Sequence, residues 1–309
     1  MKILITGGSG FIGSNVCDKL LELGHHVLVI DNYKTGVKKN NASHMNLRIV
    51  EGSILERERL NGVFRDFSPE VVIHAAASFK DPNNWLEDAT TNIIGTINVL
   101  DCAKETNVTK LIYLQTSLSY GLHPIEKPIT LKHPLISGGS SYAISKTAAE
   151  RYIELSGIKF ISFRLANVYG PRNLSGPLPT FYARLKNNLS CVVVNTKRDF
   201  IFIDDVVNLI IKGVNTDKEG YYHAASGKDH SIRNLFDLIA RHLNISDANY
   251  ELREMGADDT ATILLDVSKT EMDLNWKAHT TFVEGTKRTI QWYEQNPISS
   301  TYTHLKIIQ

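Results

Sequence analysis

The sequence predicts an α/β protein: a doubly wound parallel sheet with a smaller α/β region interleaved behind it. Three observations predict it. Six short β-rich runs alternate with longer helical patterns through the first half of the chain. Several of those runs are almost continuously apolar, as strands covered by helices on both faces must be. The first run leads directly into a cluster of glycines and then a helix, so the strand ends in a tight turn. Repeated strand–helix–strand order makes the strands parallel.

The elements follow in order. Strands are expected at Lys2–Thr6, His26–Asp31, Leu47–Glu51, Val71–His74, Leu111–Gln115 and Phe160–Arg164, and helices at Phe11–Leu23, Ile54–Phe67, Trp85–Thr106 and Tyr142–Ser156. After Arg164 the pattern changes. Gly170–Pro179 holds three of the nine prolines and reads as a loop. Beyond it, Phe181–Leu189, Asp204–Val214 and Ile232–Leu243 read as helices with short strands between. Residues 1–165 are therefore expected to form one unit, to which the chain returns near 200–215, and residues 166–309 a cap. The tail from Tyr302 carries no functional signal.

Composition narrows the partner. The 309 residues carry 34 basic and 33 acidic side chains, a net charge of +1, which gives no reason to propose nucleic acid or an anionic membrane. The three cysteines, Cys17, Cys102 and Cys191, are far apart and odd in number, so neither a disulfide framework nor a zinc site is expected, and no metal. No run approaches the ~20 apolar residues of a membrane span. The apolar run near the start stops after Ile5, too early for a signal peptide. A cytoplasmic protein with a small-molecule partner is the expectation.

The glycine turn reads Gly7-Gly8-Ser9-Gly10-Phe11-Ile12-Gly13. Between a strand and a helix, this spacing permits a tight turn, close approach of backbone to a pyrophosphate, and close helix–strand packing. Helix N–H groups can then hold the phosphates. Asp31 ends the second strand, where a carboxylate can accept from adenosine ribose hydroxyls. Its charge would repel a 2′-phosphate, so NAD is expected rather than NADP, although Lys34, Lys38 and Lys39 stand close by.

Tyr142 and Lys146 lie four apart in Ser141-Tyr142-Ala143-Ile144-Ser145-Lys146, which on a helix puts both on one face. A cation beside a phenol favours the phenolate and lowers its pKa, which would make Tyr142 a base near neutral pH. Thr116 sits at the carboxyl end of the preceding strand, the edge where doubly wound sheets carry their sites.

These motifs, with His74-Ala75-Ala76-Ala77, Asn92, Gly95-Thr96, Tyr120-Gly121, Arg164-Leu165-Ala166-Asn167 and Arg198-Asp199-Phe200, run in one order over almost the whole chain. Together they resemble the extended short-chain dehydrogenase/reductase family, in particular its NAD-dependent nucleotide-sugar epimerases and dehydratases. The resemblance implies a Rossmann domain with a nucleotide-sugar-binding cap. It implies that Tyr142 exchanges a proton with a sugar hydroxyl, that Lys146 holds the nicotinamide ribose, and that Thr116 hydrogen-bonds the reacting oxygen. It extends the cofactor site from Gly7, Gly10, Phe11, Ile12, Gly13 and Asp31 to Asn32, Ser53, Ile54, Ala75, Ala76, Ala77 and Asn92, the last being equally readable as a helix-packing residue. Substrate contacts fall on Thr116, Asn167, Leu178, Arg198 and Asp259. Arg198 is also readable as an ion pair with Asp199. Many relatives carry an arginine where this chain has Gly256, for which Arg253 or Arg172 could substitute. A homodimer through Trp85–Thr106 and the helix from Tyr142, and a place in polysaccharide biosynthesis, are likewise implied.

The two residues after Thr116 narrow the reaction. Members of the family that remove water or carbon dioxide carry an acid there, and 3,5-epimerase-reductases carry a cysteine at the second position. Here they are Ser117 and Leu118, which leave a UDP-sugar 4-epimerase acting through a 4-keto intermediate as the first reading. A 4-keto reductase or dehydrogenase with exchangeable NAD(P)(H) is the alternative, and a non-catalytic NAD-binding regulator a distant third.

Overall fold

The computed structural model describes residues 1–309 except 80, 82, 256–259, 261, 299 and 303–309. The strands are β1 (Lys2–Thr6), β2 (His26–Asp31), β3 (Leu47–Glu51), β4 (Val71–His74), β5 (Lys110–Thr116), β6 (Phe160–Leu165), β7 (Asn167–Tyr169), β8 (Cys191–Val194), β9 (Lys197–Phe202), β10 (Gly220–Ala224), β11 (Asp229–Ser231), β12 (Tyr250–Arg253) and β13 (Thr262–Ile263). The helices are α1 (Phe11–Glu22), α2 (Arg57–Phe67), α3 (Trp85–Asp88), α4 (Gly95–Glu105), α5 (Ser141–Leu155), α6 (Pro177–Lys186), α7 (Ile203–Asn215), α8 (Ile232–His242), α9 (Ser268–Leu274) and α10 (Phe282–Gln295).

Seven strands form one parallel sheet in the order β10-β6-β5-β4-β1-β2-β3. Alternate strand residues face opposite sides, and two apolar layers result. On one side Leu4, Leu28, Val72 and Leu111 pack with Leu60 and Phe64 of α2, Val99 of α4 and Ile153 of α5. On the other, Ile3, Val29, Ile73 and Ile112 pack with Val16 and Leu20 of α1 and Val206 and Ile210 of α7. Strand order reverses between β1 and β4, and a crevice opens at the carboxyl ends of such strands.

Beyond β6 the chain leaves this sheet. After Ala166, β7 pairs in parallel with β9, which also pairs with β11 and β13; β8 and β12 form a separate parallel pair. The chain then returns: α7 packs on the large sheet, and β10 adds the seventh strand beside β6.

Two expected elements are corrected. Gly170–Pro179 is a loop only to Gly176, because Pro177 occupies the first turn of α6, where its missing N–H costs nothing. Trp85–Thr106 is not one α-helix: a π-turn over Ala89–Ile94 separates α3 from α4. Asn92 lies in that turn. Among the described residues no helix is long and apolar enough to cross a membrane.

Candidate active site

The glycine turn is shaped for close approach. Gly7 has φ +68°, and a Cβ there would lie 2.7 Å from the backbone of Ala76; one on Gly13 would lie 2.3 Å from the Gly7 carbonyl. Helix α1 is preceded by Gly10 at its N-cap, which offers no side-chain cap, and has no acid in its first turn. Its first internal hydrogen bond is Ser14 N–H to the Gly10 carbonyl at 3.1 Å, which leaves the N–H groups of Phe11, Ile12 and Gly13 without a helical acceptor. Asp31 is buried, with Oδ2 accepting from Ser9 N–H at 2.9 Å and Oδ1 from Tyr33 N–H at 2.8 Å. Each carboxylate oxygen retains a lone pair for a ribose hydroxyl. Asn40 and Asn41 donate to the carbonyls of Ser9 and Gly8 at 3.0 Å, so the loop after β2 clamps the turn. These residues fit a dinucleotide. Asn32 is exposed and caps Lys34 N–H; the Ser53 hydroxyl accepts from Leu55 N–H, and the Ile54 carbonyl accepts from Asn98.

Two of the three lysines near Asp31 are engaged. Lys38 pairs with Glu51 at 2.7 Å, and Lys34 with Glu87 of α3 at 2.8 Å.

A buried polar chain ties the end of β1 to α5. The Thr6 hydroxyl donates to His74 Nδ1 at 2.6 Å, His74 Nε2–H donates to Thr96 Oγ1 at 2.9 Å, and Thr96 donates to the Asn92 carbonyl at 2.6 Å. The tautomer follows from these partners. Asn92 then donates to Ser145 Oγ at 2.9 Å and exchanges two hydrogen bonds with the Ser78 backbone. Asn92 therefore fixes the loop that follows Ala75, Ala76 and Ala77. Burial and the Lys146 charge push His74 down to about 3, so its ring is neutral.

Thr116 closes β5, and its Oγ1 accepts from Leu118 N–H at 3.2 Å, which frees the hydroxyl proton to donate elsewhere. Tyr142 and Lys146 lie on α5, one turn apart. The Lys146 ammonium rests 3.9 Å from the centroid of the Tyr113 ring. The Lys146 carbonyl accepts from Tyr113 Oη at 3.2 Å and from Gln115 Nε2 at 3.0 Å, while Gln115 Oε1 accepts from Thr116 N–H at 2.7 Å. One buried side chain thus joins Thr116 to the Lys146 turn. Gln115 carries no sequence motif; strand alternation, which puts 113 and 115 on one face, is the signal that finds it.

The phenol departs from expectation. Burial, and then the Asp88 carboxylate, hold Tyr142 above its ordinary pKa rather than below it. Lys146 is 2% exposed; burial lowers it to about 7, opposed by Glu150. Its ammonium is directed at Tyr113, so the simple pairing of cation and phenol does not describe this arrangement. Glu150 is itself fully buried and pairs with Arg164 at 2.8 Å. Arg164 donates to Tyr120 Oη at 2.9 Å, and Tyr120 donates to His223 Nε2 at 2.6 Å. His223 Nδ1–H in turn donates to the Asp266 carbonyl, also at 2.6 Å.

At the cap, Asn167 Nδ2 reaches the Asp199 carbonyl at 3.4 Å, and Arg198 donates to the carbonyls of Lys197 at 2.7 Å and Thr260 at 2.5 Å. Asn167 and Arg198 thus meet along β9. Asp199 faces away from Arg198: its carboxylate accepts from Ser226 and Gly227 N–H at 2.8 and 3.0 Å, so the adjacent pair is not an ion pair. Leu178 is buried in the first turn of α6. Asp259 and Gly256 lie outside the described residues. Arg172 pairs with Asp18 of α1 at 2.7 Å.

A doubly wound sheet with this glycine turn, an acid ending β2, and a Thr–Tyr–Lys set at the carboxyl edge defines a dinucleotide-dependent enzyme. A family model described as the NAD dependent epimerase/dehydratase family matches residues 3–224, and the chain belongs to that family. It is similar to the Bordetella bronchiseptica enzyme WbmH, solved with NAD+, at 42% identity over 96% of this chain and 99% of that one, with a TM-score of 0.92. The enzyme WbmG of the same organism, solved with NAD and UDP, is 38% identical over 98% and 97%, with a TM-score of 0.90. The UDP-glucose 4-epimerase of Thermotoga maritima, solved with UDP-glucose, is 29% identical over 96% and 99%, with a TM-score of 0.88. The family uses NAD, and NAD is this chain's cofactor.

Proposed function

We propose that the protein is a UDP-sugar 4-epimerase. The observation that carries this reading is what stands next to Thr116. Ser117 is buried and Leu118 packs against the apolar core, so neither position offers the crevice a second acid or base. Elimination and decarboxylation need more proton-transfer groups than this; inversion at one carbon needs one. When bound, NAD would supply the reversible hydride acceptor that inversion at one sugar carbon requires. Tyr142 takes the proton of the 4-hydroxyl and gives it back, and Thr116 donates to the same oxygen. Lys146 holds a nicotinamide ribose hydroxyl. The glycine turn and Asp31 hold the cofactor diphosphate and ribose. Asn167, Leu178 and Arg198 form the substrate end, Arg198 because its planar fork suits a diphosphate, and Asp259 keeps the ribose-binding role that the family resemblance implies. Arg172 engages Asp18 through Nη2, while its buried Nη1 has no hydrogen-bond partner among the described residues.

The protein acts as a homodimer in this reading. Ile94, Ile144, Leu155, Trp85 and Leu86 are apolar and exposed on α3, the π-turn and α5, the surface such a contact would cover. The three free cysteines are all buried and suit a reducing cytoplasm. A role in polysaccharide biosynthesis follows from such a product.

The test is incubation with UDP-hexoses, UDP-N-acetylhexosamines and UDP-uronic acids without added nicotinamide. NMR should show a pair of 4-epimers. Turnover only with added NAD(P)(H), and net change in its oxidation state, would overturn the reading in favour of a reductase or dehydrogenase.

A further inference from the structure

In the sheet, β1 lies between β2 and β4. The loop that leaves β2 and the helix that follows β4 therefore rise on either side of the glycine turn that closes β1. Lys34 and Glu87 join them: Nζ of Lys34, three residues past β2, stands 2.8 Å from Oε1 of Glu87 in α3. This contact therefore joins the segments that follow the two strands flanking β1.

Both ends are preset. Tyr33 adopts φ 56°, held by its N–H bond to Asp31, and Lys34 N–H bonds the Asn32 side chain at 3.1 Å. These bonds set where the Lys34 side chain departs. Glu87 is fixed by Asn84, whose Oδ1 accepts from Glu87 N–H at 3.2 Å and whose Nδ2 donates to Oε2 at 2.8 Å. One carboxylate oxygen is thus anchored within its own helix and the other faces Lys34. Lys38, the other basic residue near this wall with an ion pair, turns to Glu51 and takes no part.

We propose that Lys34 and Glu87 form a strap that retains NAD, so that the dinucleotide leaves only when the ion pair opens. The proposal requires NAD as cofactor and does not depend on which sugar is turned over. It does bear on the reaction class. A cycle that takes electrons from a sugar and hands them back needs its cofactor in place throughout, whereas a net reductase must exchange it. An isolated exposed pair adds little to folding stability. Its effect here falls on the opening step, and salt should weaken it.

The test is the rate at which protein loaded with radiolabelled NAD exchanges it for excess unlabelled NAD. Lys34→Ala and Glu87→Ala should each speed exchange about two- to five-fold, the range exposed ion pairs reach. Melting temperatures should stay unchanged. Raising the salt concentration should speed exchange in the wild type and leave both variants nearly unaffected. The double exchange Lys34→Glu/Glu87→Lys should recover most of the slow rate. Wild-type rates in both single variants would overturn the strap. Fast single variants with a double exchange just as fast would also overturn it, by assigning the effect to separate contacts. Wild type that takes up no labelled NAD would overturn the strap and the cofactor together, whereas failure to epimerise any sugar would leave the exchange measurement intact.

Discussion

Tyr113 holds Lys146 at two points: its ring lies 3.9 Å beneath the ammonium, and its hydroxyl donates to the carbonyl of the same lysine. The charged end and the backbone of Lys146 are therefore placed by one side chain of β5. The proposed acid–base residue, Tyr142, sits one turn away on α5 and takes its position from the same helix.

Tyr142→Phe should retain bound NAD and lose turnover by about 10²–10⁴-fold, the range for removing a general acid–base group. Cofactor stoichiometry and steady-state rates check this. Near-normal turnover would assign proton transfer to another group.

Gln115→Met should leave NAD bound and KM little changed while kcat falls by at least about tenfold, because small misplacements of reacting groups are costly. It strips the Thr116 N–H of its partner, which adds about 1–3 kcal/mol of destabilisation for an unsatisfied buried group. Rates and a melting curve separate the two effects. A loss of stability with unchanged kcat would reduce Gln115 to a packing residue.

Arg164→Met leaves Glu150 charged and unpaired in the core, and breaking such a pair costs about 3–5 kcal/mol. Denaturant unfolding should show a loss of that order. Tyr120 and His223 lose an anchor at the same time, so the fluorescence of the loop around Tyr120 should change before global unfolding.

Stability should fall on acidification from pH 6.5 towards 4. His74 and His223 are held neutral, with folded values of about 3 and about 4 against 6.5 unfolded. Both are depressed bases, so their contribution is complete above 6.5 and disappears as pH drops. Asp199 has the opposite sign: burial raises it from 3.8 to about 6, and its contribution grows as pH falls through that value. At about 1.4 kcal/mol per pKa unit the histidines outweigh the aspartate, and the net loss is a few kcal/mol. Melting temperature against pH checks the sign; His74→Asn should flatten the curve.

The sheet was legible because its strands are apolar and short. β5 nevertheless runs one residue further at each end than its apolar run, since Lys110 starts it. That lysine is buried with its ammonium on the carbonyls of Gly213 and Thr216, a long-range partner no local pattern reveals. β10 reads Gly-Tyr-Tyr-His-Ala, without an uninterrupted apolar run, and becomes a strand by pairing with β6. The π-turn leaves hydrophobic spacing almost intact, which conceals it. Arg198 and Asp199 show the limit of adjacency: neighbours in a strand point to opposite faces. The glycine turn and Tyr142/Lys146 were legible as spacing. The raised Tyr142 pKa was not, because it comes from tertiary burial first and then from Asp88, which reaches it from another helix.

β6 and β7 are separated by Ala166 alone. Leu165 lies abreast of Thr116 in the large sheet, and Asn167 lies abreast of Phe200 in the cap sheet. Two residues of extended chain span at most about 7 Å. If Thr116 and the Asn167–Arg198 edge hold the two ends of the substrate, as proposed, the span between them is a ruler cut into the backbone. A ruler selects by length and is indifferent to handedness: it would reject a nucleotide sugar of the wrong reach and accept both configurations at the carbon that is inverted.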